Sequence, residues 1–358
     1  MSDSKKNIEF GVFLPIASGG WIISKNTPPL TACWAQNREA AILADQIGLD
    51  FIMSMGKWRG FGGETDHWGA SLESVTLMAA LAECTHHAKL IATMHAGLHN
   101  PAVTAKMITT LDQISHGRAG LNIVSGSFKN EFHQMGAWNE QLSHDDRYDM
   151  TEEWTTAIKR LWSEPEVTFD GHYFQLNACV SDPKPISTPR PYLLCAGQSE
   201  KGMRFTVQNT DACFIGGKDE VETKKLSQMA RRIAREYQTE IKVFCMCTLI
   251  IADTDAEAEA LAEHYREGLD VGAVEGMISS FGVDIASAKS MFERACNAFM
   301  THTAIGCAQT CQQQVEELIR ECELDGVMLI FPDYFDGLTR FGRDVYPGLK
   351  VSLASHAV

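Results

Sequence analysis

The residues that could do chemistry in this chain follow short apolar runs, where glycine, cations and hydrogen-bonding side chains collect. The run ending at Met53-Ser54-Met55 opens into Gly56-Lys57-Trp58-Arg59-Gly60-Phe61-Gly62-Gly63, a cationic, aromatic, glycine-rich loop suited to gripping a flat, electron-rich ligand. Other runs end at Thr93-Met94-His95, at Asn122-Ile123-Val124-Ser125-Gly126-Ser127 and at Cys195-Ala196-Gly197-Gln198-Ser199. A Gly-Gln-Ser turn opening a helix offers backbone N–H groups and a hydroxyl to an anion such as phosphate. An ordinary N-cap role for Ser199 accounts for the same residues. His86-His87, His95-x3-His99, His133 and His144 raise a metal-hydrolase reading. They lack a His-x-His with downstream His and Asp on successive strand ends. Cys245-x-Cys247 and Cys307-x3-Cys311 also lack a second half-site at ligand spacing, so no metal is expected.

The elements that must position these residues alternate from end to end. Apolar runs at 8–14, 50–55, 89–93, 120–124, 192–195, 212–215, 243–252 and 326–331 read as eight buried strands. Each is followed by an amphipathic stretch: 34–47, 72–84, 101–114, 148–162, 200–208, 220–238, 255–268 and 311–322 are predicted helices. Pro101 after Asn100 suits a helix start, where the missing N–H is harmless. Trp154, Leu161 and Trp162 at helical spacing read as core. Near-continuous apolar strands alternating with helices predict a parallel sheet covered by helices. The count favours a closed (β/α)8 TIM barrel over a doubly wound sheet, because no G-x-G-x-x-G follows an early strand. Long connections at 56–71, 125–147 and about 270–305 exceed ordinary loops. The first two follow strand ends and would roof the mouth of a barrel, where such folds keep their sites. Asp170-Gly171 between 167–169 and 173–174 predicts a small hairpin. Pro183, Pro185, Pro189 and Pro191 make an extended lead into the fifth strand.

The 358 residues suit one barrel domain over 1–358, with an insertion near 270–305. The formal net charge of −15 disfavours nucleic acid and anionic membranes, leaving room only for a local basic pocket. No apolar run approaches a membrane span, and no signal-like segment follows Met1–Lys6, so a cytoplasmic protein is expected. The 11 cysteines, several within apolar runs, read as reduced packing residues.

Several stretches together resemble the bacterial-luciferase-like flavin monooxygenases from Ile8 to Phe341. They include 11–16 (GVFLPI), 54–63 (SMGKWRGFGG), 72–79 (LESVTLMA), 110–118 (TLDQISHGR), 122–126 (NIVSG), 146–148 (DRY) and 195–199 (CAGQS). The G-F-G-G loop with C-A-G-Q-S points to the pyrimidine-monooxygenase branch of uracil degradation. N-I-V-S-G and the stretch His144–Tyr148 also resemble the dimethyl-sulfone monooxygenases. The resemblance implies reduced FMN at the C-terminal mouth of a barrel, contacted by Gly56, Lys57, Asn122, Glu131, Arg147, Tyr148, Gly197, Gln198 and Ser199. It implies that Arg147, Tyr148 and Ser199 hold the phosphate. Thr93 and Asn122 correspond to residues beside the flavin where O2 is activated, and are the catalytic candidates. Met53, Met55, Lys57, His95 and Ser127 would line the substrate pocket.

The implied reaction is a monooxygenation in which a flavin peroxide, formed at N5, attacks an electrophilic ring carbonyl and the adjacent C–N bond breaks. No NAD(P)H fingerprint is visible, so a separate NAD(P)H:flavin reductase would supply the reduced FMN, and a homodimer or homotetramer is implied. A sulfone-type C–S monooxygenase, a deazaflavin-dependent oxidoreductase and a noncatalytic flavin-binding barrel are the alternatives. Two positions depart from the branch. Ser127 stands where it has Trp, and His95 where a small residue is expected. The pocket is therefore expected to be enlarged or reshaped, favouring a pyrimidine-like or larger heterocycle, unless Trp58, Phe128 or Trp138 refills the space.

Overall fold

A computed structural model describes residues 7–355 except 127, 282–294 and 296–297. Its strands, in chain order, are β1 Glu9–Phe13, β2 Phe51–Met53, β3 Lys89–His95, β4 Ala119–Val124, β5 Val167–Asp170, β6 Gln175–Cys179, β7 Tyr192–Cys195, β8 Ala212–Ile215, β9 Lys242–Ile251, β10 His302–Gly306 and β11 Gly326–Ile330. Eight of them pair in parallel in the cyclic order β1-β2-β3-β4-β7-β8-β9-β11, with β8–β9 and β11–β1 closing the ring. All eight predicted strands are barrel strands. Their apolar continuity has a direct cause, since parallel strands are buried on both faces: β1, β2, β8 and β11 are buried at every residue.

Inside the barrel, Phe51 stacks on Phe244 at 5.2 Å and 8°. Gly11 leaves room for this plug, because a Cβ there would lie 2.2 Å from the Phe51 ring. Helices cover the outside. Asn100 caps Pro101–Ile114 by accepting from the Ala102 N–H. Ser143 and Asp146 form a reciprocal capping box that starts Pro-free helix His144–Ser163 one turn earlier than predicted. Trp154, Leu161 and Trp162 of that helix are buried as expected. Arg118 ties the loop before β3 to the loop before β4 by donating to the carbonyls of Ala82, Thr85, Ala88 and Ser115. The arginine of the I-S-H-G-R stretch is thus a backbone clamp remote from the mouth.

Three details differ from expectation. The hairpin forms, but its second strand begins at Gln175, because Asp170 pairs with Gln175 and residues 171–174 all lie in the connection. The connection over 270–305 contains helix Val271–Phe281 and strand β10, which pairs with the half of β9 that overshoots the ring. A third roof element, helix Lys129–His133, breaks the 125–147 loop.

Candidate active site

The C-terminal ends of the barrel strands surround a cavity of about 340 Å³. Strand alternation decides which side chains reach it: Met53 and Met55 follow one another at period two from β2, as do Thr93 and His95 on β3 and Asn122 and Val124 on β4. Phe13, Trp21, Ala196, Phe214 and Met246 supply the rest of the rim. The roof comes from the loop after β2, which contributes Gly56, Lys57, Phe61 and Trp68, and from Phe128, Met277 and Met300. The walls are therefore aromatic rings and thioethers, and the polar side chains among them are Lys57, Thr93, His95 and Asn122.

Those polar groups are rigidly arranged. Ser54 and Ser74 hydroxyls share a hydrogen bond of 2.6 Å, and Ser74 Oγ accepts from the Thr93 N–H. Thr93 Oγ1 donates to the Ser54 carbonyl at 2.6 Å and so can only accept from Asn122 Nδ2, at 2.9 Å. This orients the Asn122 amide with Oδ1 outward, buried and without a partner among the described residues. Lys57 Nζ lies 3.4 Å from Glu131 Oε2, both side chains being 2% exposed. The other carboxylate oxygen accepts from the Trp58 N–H. The ammonium also sits 3.9 Å from the Phe128 ring centroid and 4.4 Å from that of Phe61. Burial pulls Lys57 down to about 8 against the opposing pull of Glu131, and burial raises Glu131. His95, fully enclosed, is pushed down to about 3 by burial, with His99 and Lys57 adding like-charge repulsion. Its imidazole is neutral at physiological pH.

A second group lies beside the mouth, between the ends of β4 and β7. Ser199 caps helix Glu200–Asn209, accepting from the Gly202 N–H, and approaches His144 Nε2 at 3.4 Å. The Tyr148 hydroxyl interacts with Ser125 and Ser199. Its close approach explains two glycines, since a Cβ on Gly197 or Gly202 would lie 2.8 or 2.5 Å from that oxygen. Arg147 flanks this group, donating to the Leu142 carbonyl and facing the Trp138 ring at 5.1 Å, with its Nε buried and unpartnered among the described residues. Arg147 and Ser125 line an adjacent cavity of about 440 Å³. Gln198 is half-buried and borders Gly216 at the end of β8.

The structure therefore gathers the residues singled out in the sequence into two clusters. Met53, Met55, Gly56, Lys57, Thr93, His95, Asn122 and, through Lys57, Glu131 meet at the mouth. Tyr148, Gly197 and Ser199 meet beside it, with Arg147 and Gln198 on either flank. Ser127 lies outside the described residues. Of the aromatics considered as space-fillers, Phe128 lines the mouth, Trp138 lines the adjacent cavity and Trp58 is exposed. Sequence reasoning assigned no individual role to Ser54, Ser74 or Trp68; it named Phe61 and Ser125 only as parts of strand-end stretches and His144 only as a metal candidate. Ser74 falls within a quoted motif, but its contact with Thr93 spans 19 residues and leaves no local signal. No cluster of three or more His, Cys, Asp or Glu able to hold a metal occurs among the described residues, and no described helix is long and apolar enough to cross a membrane.

The group best matched to these features is a phosphorylated flat ring system. Apolar walls suit the ring, the outward Asn122 Oδ1 suits a ring N–H, and Arg147 with the Ser199-capped helix suits the phosphate. A profile of the luciferase-like monooxygenases matches residues 8–321. Pyrimidine monooxygenase RutA of Variovorax paradoxus is 33% identical over 350 residues, covering 95% of this chain and 94% of that protein. The protein of the same name from Methylobacterium radiotolerans is 35% identical over 354 residues, covering 95% and 91%. Among solved structures, riboflavin lyase RcaE with modified FMN and riboflavin superposes with a TM-score of 0.86 at 19% identity, covering 97% of this chain and 92% of that one.

Proposed function

Because the chain belongs to the luciferase-like monooxygenase family and is a flavin-dependent monooxygenase, we propose that it is the oxygenase of a two-component system. On this reading it uses reduced FMN and O2 to cleave a C–N amide bond in a pyrimidine-like or larger heterocycle. A separate NAD(P)H:flavin reductase supplies the reduced cofactor. The observation that carries the proposal is the mouth cavity, whose aromatic and methionine walls enclose Lys57, Thr93, His95 and Asn122 beside a cluster suited to phosphate.

Reduced FMN, when bound, supplies the electrons that activate O2. The protein's own groups do the rest. Arg147, Tyr148 and Ser199 would hold the FMN phosphate by charge-assisted and neutral hydrogen bonds. Gly56, Lys57, Asn122, Glu131, Gly197 and Gln198 border the cofactor. The Ser74–Ser54–Thr93–Asn122 chain holds the Asn122 amide in one orientation, so that it makes its contact without reorganising. Phe61, Trp68 and Phe128 keep water from the mouth, which strengthens every polar contact within it. The Lys57 charge lies where negative charge on a substrate carbonyl oxygen would be stabilised, and Glu131 keeps that charge in place.

The test is product analysis by mass spectrometry with reduced FMN, O2 and a panel of pyrimidines, fused heterocycles and sulfones. Ring-opened heterocycle is the expected product. Turnover confined to sulfones, or no oxygenated product from any of the panel, would reject the reading.

A further inference from the structure

Strand β3 ends by pointing two side chains into the mouth: Thr93, whose hydroxyl is fully used, and His95, whose ring is not. His95 is 4% exposed. It packs edge-on against Phe132 at 5.3 Å and lies flush against Gly56, where a Cβ would be 3.0 Å from its Cε1. Its Nδ1 is buried without a hydrogen-bond partner among the described residues. A desolvated, unpaired ring nitrogen lowers stability, and, unlike His67, whose ring nitrogens are also buried and unpartnered, His95 borders the mouth cavity. The cavity is what the ring faces, alongside Lys57, Thr93, Asn122 and Val124.

We infer that His95 is a specificity-determining residue, hydrogen-bonding through its ring to a neutral cyclic amide (a lactam or imide) bound in the mouth cavity. The inference rests on the heterocycle reading of the same site. Three observations set the ligand class. A neutral imidazole offers the cavity one hydrogen bond, as donor or as acceptor, and so can meet either the C=O or the N–H of a cyclic amide. Asn122 Oδ1, the other unpartnered acceptor beside the cavity, is taken by the cofactor ring in the proposed function, which leaves the amide to His95. Lys57 and Glu131 form an ion pair of zero net charge, so the site favours a neutral ligand in its ground state while the ammonium can still donate a hydrogen bond. The surrounding rings and methionines then favour a flat, otherwise apolar body.

The experiment titrates the FMN-loaded protein with uracil and with quinazoline-2,4-dione. The wild type is compared with His95→Phe, which keeps the packing and loses the hydrogen bond, and with His95→Gln, which restores one. His95→Phe is expected to weaken binding of at least one probe by about tenfold, and His95→Gln to recover part of the loss. FMN affinity should stay within about twofold in both variants, as the residue acts on the amide and not the phosphate. In the wild type, the ¹⁵N resonances of the His95 ring should shift on saturation with the probe, a readout that survives even if His95→Phe fails to fold. Binding unchanged in His95→Phe, ring resonances unmoved at saturation, or no binding of either probe by the wild type would overturn the inference. Binding that depends on His95 but yields no oxygenated product upholds the inference and counts against the oxygenase reading alone.

Discussion

Lys57 carries a positive charge into a cavity of rings and thioethers, and Glu131 is what permits it. Taking either ion alone out of water costs several kcal/mol, while the pair with its aromatic neighbours offsets much of that. Removing one partner strands the other. Lys57→Met is therefore expected to destabilise the protein by about 3 kcal/mol in urea unfolding. The double variant Lys57→Met/Glu131→Gln should recover most of the loss, because glutamine can still accept from the Trp58 N–H. The same pair gives a pH signature. Burial holds Lys57 at about 8 in the folded protein, against 10.5 for the free group. Between those values the unfolded chain keeps a proton that the folded chain has released, so stability from this group rises with pH. Its destabilising effect is full below pH 8 and is relieved by 10.5. The stability gap between wild type and Lys57→Met should accordingly widen over that window, and a gap that narrows would contradict the assignment. The lysine and the glutamate were each legible in the sequence, but their pairing across 74 residues was not, since it takes the β2-β3-β4 strand order and the helix Lys129–His133 to bring them together.

The element that completes the mouth is the roof, made by the loop after β2 docked on helix Val271–Phe281. Asp270 fastens the two: its carboxylate accepts from the Thr65 N–H and hydroxyl and from the Ala273 N–H. Burial alone would raise this carboxyl, but the bonds led by Thr65 outweigh it and hold it below the usual aspartate value. The docking is so close that a Cβ on Gly276 would fall 1.8 Å from the Phe61 carbonyl oxygen, a backbone atom that cannot rotate away. Gly276→Ala should therefore lift Phe61 and Trp68 off the cavity, costing about 2 kcal/mol or more of stability. Turnover should fall by at least about tenfold as water enters. Thermal unfolding and tryptophan fluorescence with steady-state rates check this; an unchanged rate would show that the roof is dispensable. The loop after β2 was legible as roof in the sequence, but the helix it docks on was not, for a physical reason. Helix Val271–Phe281 carries Gly272 and Gly276, which weaken the helical signal, and β10 pairs only with the overshooting end of β9. The eight barrel strands were legible because burial on both faces writes uninterrupted apolar runs. The hairpin turn was legible too, while the start of its second strand was set by pairing and not by local residue type.

For the whole molecule, the barrel places two chemistries side by side on one face: an apolar mouth for a ring and substrate, and a hydroxyl, arginine and helix-end cluster for a phosphate. On the proposed function, the net charge of −15 is compatible with an anionic cofactor because the phosphate would meet this local cluster. Nothing in the proposed chemistry requires contact with a reductase, since reduced FMN can arrive by diffusion. The most direct test of the account uses photoreduced FMN with no reductase present, ¹⁸O2 and a heterocyclic amide, with mass analysis of the product. The account predicts ring-opened product carrying one ¹⁸O atom. Product without the label, or label only in hydrogen peroxide and water, would contradict it.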